Sequence, residues 1–543
     1  MSVEGDLRSL LEGEVSVDEA TLNEHSRDAS LFYVKPELVV FPRTTKDIQE
    51  LVRYTASHAK QGLSLTVRSG GTCMSGGPLN ESIIVDVNKH LRAIRRVGNH
   101  EATVEPGVFY RDFEQATLKH NLLMPSYPAS RDICTVGGMV NNNAGGEKTL
   151  MYGKTAKFIK RLKVVLRDGG EYVFARLSRS ELEEKKKLGT FEGDLYRQMF
   201  DMLEHNYSLI QKARPNVSKN STGYNLWDVW DRHSFDFTQL LAGSQGTLGI
   251  TTEIAFRLIT PKPHAQMLVI FLRDTAYLAD VVKHVMRYYP ESFESYDDHT
   301  LKIALRGLPH MMKQMGTANL FTLLLSFRPE MQLIASGGLP KLILLAEFTG
   351  KRLAEIEQRA KAAQAGLHAL GLKTRLARSA AEVKKYWTIR RESFNLLRRG
   401  MGDMRTAPFI DDIVVDVNLL PVFLPRLDQI LAEYNITYTI AGHVGDGNFH
   451  IIPLLNLKYE EQRAIIPELA KKVYELVFSF DGSMSGEHND GLIRSPFLKE
   501  MYGDKIYDLF VQTKNIFDPA SIFNPGKKVG ASWDYAMQHI IRE

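Results

Sequence analysis

The chain has 543 residues and a mass of 61.4 kDa, which at ~150 residues per domain implies roughly two to four folding units rather than one core. Apolar residues make up 44% and charged residues 24%, a globular balance that excludes a disordered or fibrous chain. A net charge of +4, from 68 basic and 64 acidic residues, gives no electrostatic footing for nucleic-acid binding.

The two cysteines, Cys73 and Cys134, exclude a disulfide framework, a four-cysteine zinc site and an iron–sulfur cluster. The most apolar stretch, residues 319–327, falls far short of the ~18 residues that a membrane span needs. Glu4, Asp6, Glu12, Glu14, Asp18 and Glu19 make the N-terminus acidic, which fits neither a secretory signal nor a transit peptide. The expectation is a soluble cytoplasmic protein, at most peripheral at a membrane, with a homodimer as the default assembly.

Residues 1–30 are weakly periodic and predict one or two short lead-in helices. Ile48, Leu51, Val52 and Tyr54 mark one face of a helix opened by a threonine cap and Asp47. Strands are predicted at 63–67 and 83–87, on either side of a glycine-rich segment. Runs at 161–167 and 171–176, joined by Asp168-Gly169-Gly170, predict a hairpin. Residues 178–224 are charged and mixed, and read as an insertion. A glycine cluster at 243–249 precedes a strand at 250–258. Pro261 and Pro263 mark a domain boundary. Beyond it, strands are predicted at 268–272, 321–327 and 342–348. Helices are predicted at 283–289, 351–372 and 425–434, the last with Pro425 at its first position. The divisions are a lead-in to residue 30, one domain over 31–260, an α+β domain over 261–475 and a helical tail over 476–543.

The run RSGGTCMSGG at 68–77 can turn successive backbone N–H groups toward an anion. It matches neither the P-loop nor the dinucleotide fingerprint, and a ligand-free glycine hairpin is the plain alternative. Small residues and amides recur at 125–146 and 243–249, and three such segments in one region favour close backbone approach to a large planar ligand.

A second constellation lies at 442–450, where Asp446-Gly447 predicts a two-residue turn that sets His443 directly opposite His450. Imidazoles so placed can share one metal, or they are simply two surface histidines. Glu487 offers a third ligand, and two histidines with one carboxylate form a catalytic zinc set that also suits iron(II) or manganese. His488 beside it is a further ligand, a base near a metal-bound hydroxyl, or a capped loop histidine.

These blocks, at 68–77, 135–146, 243–249, 443–450, 485–491 and 523–527, resemble the vanillyl-alcohol-oxidase superfamily. The branch they resemble most is that of D-lactate and D-2-hydroxyglutarate dehydrogenases and glycolate-oxidase flavin subunits. The resemblance spans nearly the whole chain in family order. It implies an α+β fold with a two-subdomain FAD-binding domain, an α+β substrate (cap) domain and a helical C-terminal return to the flavin. It implies that Arg68, Ser69, Gly70, Gly71, Thr72, Gly76 and Gly77 surround the FAD pyrophosphate. Thr135, Gly137, Gly138, Asn143, Gly145 and Gly146 would line the flavin, with Pro125, Ser126, Gly153, Ser244, Gly249, Ile250 and Asn524 completing the set. Thr72 stands where some relatives carry a flavin-linking histidine, and Cys134 reads as packing, so FAD is expected to be non-covalent.

By the same resemblance His443, His450 and Glu487 hold a divalent metal, zinc by donor type, and His488 is the base. Arg390 matches the substrate-arginine position, with Arg391 and Arg494 as further candidates. The implied reaction is oxidation of a D-2-hydroxy acid to the 2-oxo acid, with D-lactate ahead of D-2-hydroxyglutarate. Two departures weaken the latter: Ile452 replaces an asparagine, and Pro408-Phe409-Ile410-Asp411-Asp412 replaces a segment with a lysine. Residues 407–412 and 486–503 look closest to large dehydrogenases that continue into an iron–sulfur region. The expected electron acceptor is therefore a separate iron–sulfur or electron-transfer protein, or a quinone. A metal-free sugar or lactone oxidase of the same fold, an ether-lipid synthase, a metal hydrolase and a non-catalytic subunit are the competing readings.

Overall fold

The computed structural model describes residues 2–306, 338–399 and 403–542. A first sheet joins β1 (Glu14–Ser16), β2 (Leu38–Phe41), β3 (Leu65–Arg68) and β4 (Ile83–Asp86) in the order β1-β2-β4-β3. The helix Thr45–Ser57 packs on it through Ile48, Leu51 and Val52, and Thr44 and Asp47 form a capping box at its start. Strands β2 and β3 both run parallel to β4. The glycine segment is therefore a crossover between parallel strands, and the hairpin alternative fails. The lead-in contributes helices Val3–Leu10 and Glu19–His25, and also the edge strand β1, which periodicity did not reveal.

A second, antiparallel sheet follows. It is built from β5 (Ile94–Gly98), β6 (Glu101–Val104), β7 (Ile159–Val165) and β8 (Glu171–Ala175). A small side pair, β9 (Leu177–Ser178) and β10 (Ser234–Phe235), precedes its central strand β11 (Ile250–Arg257), and the order is β5-β6-β11-β7-β8. The predicted hairpin is β7–β8, paired from Arg161↔Ala175 to Val165↔Glu171, with Gly169 at φ +74° in the turn. Residues 178–224 hold the helices Arg179–Lys186, Phe191–His205 and Tyr207–Ala213. Their Leu182, Leu195, Tyr196 and Met199 belong to the core of this sheet, so the segment is not a loose insertion.

The third sheet comprises β12 (His264–Leu272), β13 (Ser292–Asp297), β14 (Leu342–Gly350), β15 (Lys373–Leu376), β16 (Arg405–Thr406), β17 (Ile413–Val414), β18 (Thr437–His443) and β19 (Asn448–Leu455). Its order is β15-β12-β14-β13-β18-β19-β16, with β17 also on β19. Alternation divides its faces. Leu268, Ile270 and Leu272 pack with Leu344 and Ala346 under helices that include Leu353–Ala369 and Leu420–Ala432. On the other face Met267, Val269, Tyr296, Leu345 and Ala441 pack under Tyr386, Trp387 and Ile389 of the helix Ala380–Arg399.

Three expectations shift here. The helix predicted at 425–434 begins earlier, at Leu420 with Pro421 in its first turn, and Pro425 lies inside it. The helix predicted at 283–289 spans Leu278–Met286, and Tyr289 beyond it turns at φ +53°. The strand predicted at 321–327 lies outside the described residues. Beyond the third sheet, helix Asp504–Phe517 returns to the core of the second sheet, and Ile522 and Phe523 reach that of the first.

Candidate active site

Three glycine-bearing segments meet at one cleft. Ser69, Gly70, Gly71, Thr72, Gly77, Thr135, Gly137, Gly138 and Gly249 line it, joined by Cys73, Asn141, Asn142, Gln245 and Gly246, which sequence reading missed. The segment after Thr135 is not a loop but the short helix Val136–Asn142, capped by the Thr135 hydroxyl, which also donates to Ser69 Oγ at 2.6 Å. A Cβ at Gly70 would lie 2.8 Å from the Ile133 carbonyl, and one at Gly71, where φ is +63°, 2.6 Å from the Arg68 guanidinium. Only glycine leaves this backbone open. Arg68 Nη1 is buried there without a hydrogen-bond partner. A guanidinium with an unsatisfied N–H beside a glycine cradle fits the pyrophosphate of FAD.

Other predicted contacts stand behind this lining. Asn524 Nδ2 donates to the carbonyls of Gly77 and Gln245, which ties two of the segments together. Asn143, at φ +47°, ends the short helix and accepts from the Ala156 N–H. Gly76 turns the loop at φ +78° against Phe32 and Leu492, and Ile250 is in the core of the first sheet. Pro125, Ser126, Gly146, Gly153 and Ser244 are likewise outside the lining. Cys134 is buried, and burial pushes its thiol up to about 12, so it is inert packing. Gly145 is also outside the lining and abuts the metal candidates instead: a Cβ there would lie 2.9 Å from Glu487 Oε2.

The histidine pair is present, but by a different register. His443 pairs with Asn448 and Ala441 with His450, so the turn has four residues, Val444 to Gly447, rather than two. The shift is even, so both imidazoles keep one face as diagonal neighbours with ring centroids 5.3 Å apart. His443 Nε2 lies 3.1 Å and His450 Nε2 3.5 Å from Glu487 Oε1, and His488 Nε2 is 3.9 Å from the same atom. Each opposite ring nitrogen is held by a carboxylate. Glu294 takes His443 Nδ1 at 2.6 Å, and Asp411 takes both His450 Nδ1 at 3.0 Å and His488 Nδ1 at 2.5 Å. Carboxylates behind imidazoles are the usual outer support of metal-ligating histidines.

The Asp411-Asp412 pair, read from the sequence only as a departure, organises this site. Asp412 Oδ2 accepts from the backbone N–H groups of Glu487 at 2.9 Å and His488 at 2.7 Å, and from the Ser485 hydroxyl. Lys219 and Lys154 were also missed. The buried Lys219 ammonium lies 3.4 Å from Glu487 Oε2 and 3.2 Å from Asp446, while Lys154 donates to the Gly486 carbonyl at 3.0 Å. Arg390 pairs with Glu294 at 3.1 Å, and Arg391 with Glu147 at 2.7 Å. Arg494 needs correction as a substrate arginine. It is fully buried and donates to the backbone carbonyls of Asn489 and Asp411, so it holds the scaffold from behind.

The electrostatics follow from this layout. Burial alone would raise Glu487, but Lys219 and His443 hold it well below the usual carboxylate range. Burial alone would lower His450, but Asp411 and Glu487 push it up to about 10, and Asp411 and Asp412 raise His488 in the same way. Glu294, Asp411, Asp412, Asp446 and Glu487 are interleaved with Lys154, Lys219, Arg390 and Arg494 around the imidazoles. Converging imidazoles with one carboxylate, the donor set of His443, His450 and Glu487, fit a divalent cation.

Comparison with known proteins supports the FAD cleft. A family profile described as "FAD binding domain" matches residues 36–174, and one described as "FAD linked oxidases, C-terminal domain" matches residues 261–528. The chain belongs to the FAD-linked oxidase family. It is 28% identical to the D-2-hydroxyglutarate dehydrogenase of Pseudomonas putida over 526 residues, which is 95% of this chain and 50% of that protein. It is 25% identical to the glycolate oxidase subunit GlcD of Bacillus subtilis, over 93% of this chain and 91% of that one. The chain thus spans about half the length of the Pseudomonas putida and Escherichia coli D-2-hydroxyglutarate dehydrogenases. Among solved structures, p-cresol methylhydroxylase superposes with a TM-score of 0.67 at 16% identity, covering 96% of this chain and 95% of that one. The 4-ethylphenol oxidase of Gulosibacter chungangensis gives 0.66 at 15%, covering 96% of each. What is shared at such identities is the vanillyl-alcohol-oxidase fold, the α+β class expected. No helix of the described residues is long and apolar enough to cross a membrane.

Proposed function

We propose that the chain is an FAD-dependent, metal-assisted dehydrogenase that oxidises a D-2-hydroxy acid to its 2-oxo acid, with D-lactate ahead of D-2-hydroxyglutarate. The observation that carries this reading is the convergence of three imidazole Nε2 atoms on Glu487 Oε1, tied to the cleft that fits FAD by Asn489 Nδ2, which donates at 3.2 Å to the carbonyl of Asn142 in the cleft lining. Ser69, Gly70, Gly71, Gly137 and Gly138 with Arg68 would hold FAD non-covalently, and His443, His450 and Glu487 would hold zinc, iron(II) or manganese. When bound, FAD supplies a hydride acceptor and the metal a Lewis acid for the α-hydroxyl.

The remaining work belongs to the chain. His488, its Nδ1 fixed by Asp411, presents Nε2 to the hydroxyl proton. Glu294 fixes His443 with Nε2 toward Glu487, and also anchors Arg390 beside His443, from where its guanidinium would meet the substrate carboxylate. The metal-free sugar-oxidase alternative leaves this buried ligand set without a role. Electrons pass on to a separate acceptor, an iron–sulfur or electron-transfer protein or a quinone.

The test is the anaerobic visible spectrum of the purified protein. Bleaching of an oxidised-flavin band by a D-2-hydroxy acid and not by L-lactate is the expected result. A flavin band that no hydroxy acid bleaches would overturn the substrate class, and absence of flavin after reconstitution would overturn the cofactor.

A further inference from the structure

The proposed reaction leaves one stretch of the catalytic sheet face unexplained. His443 and Glu294 share that face, and one step along β13 and β14 Ser292 lies opposite Glu347, with Met267 of β12 opposite Glu347 on its other side. The helix Ala380–Arg399 covers this row. Trp387 Nε1 donates to Glu347 Oε1 at 3.2 Å, and the Arg391 guanidinium lies 4.6 Å from the Trp387 ring centroid. A cleft of about 660 Å³ beside the row, between β12 and this helix, is lined by Met267, Trp387, Thr388 and Arg391, though not by Ser292 or Glu347 themselves. Two links join the row to the metal candidates. Glu294 bonds both Arg390 and His443, and Glu147, which Arg391 holds, is two residues from the Gly145 that abuts Glu487.

The charges in this row are already committed. Arg391 grips both Glu147 oxygens at 2.7 and 2.8 Å, Lys148 and Lys262 lie 3.3 and 3.4 Å from Glu291, and Arg390 is on Glu294. Glu347 has no ion-pair partner among the described residues, only the Trp387 indole. Burial and then Glu147 raise its pKa, against the Trp387 bond and Lys148, and as a carboxylate it accepts from a hydroxyl. Ser292, 1% exposed, has a buried Oγ with no hydrogen-bond partner. A buried hydroxyl left unpaired in an otherwise satisfied face points to a group that arrives from outside.

We propose that this row is the side-chain subsite of the active site. It receives the part of the substrate beyond C2, pairs Ser292 and Glu347 with a hydroxyl there, and disfavours a second carboxylate. The inference rests on the 2-hydroxy-acid reading and narrows it to short, uncharged or hydroxylated acids. A distal carboxylate would enter among Glu147, Glu291 and Glu347 with the neighbouring cations already engaged, and like-charge contact is strongly unfavourable. A 3-hydroxyl would satisfy Ser292, and a site built to bond a hydroxyl discriminates against analogues that lack it.

The experiment measures kcat/KM of the FAD-loaded protein for D-lactate, D-glycerate and D-2-hydroxyglutarate, in the wild type, Glu347→Gln and Ser292→Ala. The expected order is D-glycerate, then D-lactate, with D-2-hydroxyglutarate about tenfold or more behind. Glu347→Gln should raise the D-2-hydroxyglutarate to D-lactate ratio, and Ser292→Ala should remove the advantage of D-glycerate over D-lactate. Flavin difference spectra with pyruvate, hydroxypyruvate and 2-oxoglutarate give the same ranking as affinities, without turnover. If no acid reduces the flavin but hydroxypyruvate and pyruvate still bind ahead of 2-oxoglutarate, the proposed reaction fails and the subsite stands. A wild type that prefers D-2-hydroxyglutarate or 2-oxoglutarate overturns the subsite, as does a Glu347→Gln protein with unchanged ratios.

Discussion

Asp411→Asn is the sharpest test of how the site is held. The wild-type carboxylate is fully buried and accepts from two imidazoles at once, His450 Nδ1 at 3.0 Å and His488 Nδ1 at 2.5 Å. An asparagine of nearly equal shape can accept from one ring nitrogen but presents an N–H to the other. The ring that faces the amide must then carry its proton on Nε2, the atom aimed at Glu487. If that ring is His450, metal affinity falls by about 10- to 100-fold, or about 1.4–2.7 kcal/mol. If it is His488, the base is lost and flavin reduction slows by about 10²- to 10⁴-fold. Side-chain volume is unchanged, so no cavity adds to the cost. Metal competition against a chelator and anaerobic stopped-flow flavin reduction, run on the same preparation, separate the two outcomes. A variant with metal affinity and reduction rate both unchanged would refute the shared-carboxylate role.

Lys219→Met leaves Glu487 and Asp446 buried without their ammonium partner, and urea denaturation should show a loss of about 3–5 kcal/mol. A stability close to wild type would mean that the two carboxylates are compensated elsewhere. Gly145→Ala places a methyl 2.9 Å from Glu487 Oε2, so metal content should fall while flavin absorbance per protein is retained; equal loss of both would point to general misfolding. Asp28 beside the glycine loop is raised from 3.8 to about 6, burial outweighing its bonds from Ser30 and Gly76. The folded chain then holds this proton where the unfolded chain has released it, so stability declines as pH rises from about 4 to about 6. In FAD-free protein, Asp28→Asn should flatten that decline in the urea midpoint, and a slope identical to wild type would refute the assignment.

What the sequence disclosed is what short-range chemistry decides. The Thr44–Asp47 capping box and the Asp168-Gly169-Gly170 hairpin each settle within a few residues, and both are present, the first hairpin strand two residues earlier than predicted, at Ile159–Val165. The histidine pair shows how far such reasoning tolerates error. The predicted turn was too short, but correcting it moves the register by two, and a period of two returns both imidazoles to the same face. A shift of one would have put one imidazole on the opposite face and dispersed the candidate metal ligands. The groups that were missed have no local signature. Lys219 reaches Glu487 across 268 residues of chain and Asp411 reaches His488 across 77. In the sequence Asp411-Asp412 stands out only as a departure from the family that the chain resembles. Both are fully buried because backbone N–H groups and imidazoles from a distant segment converge on them. Spacing can identify ligands that neighbour one another on a hairpin, whereas the groups that orient those ligands are chosen by tertiary packing, and only the folded chain shows them.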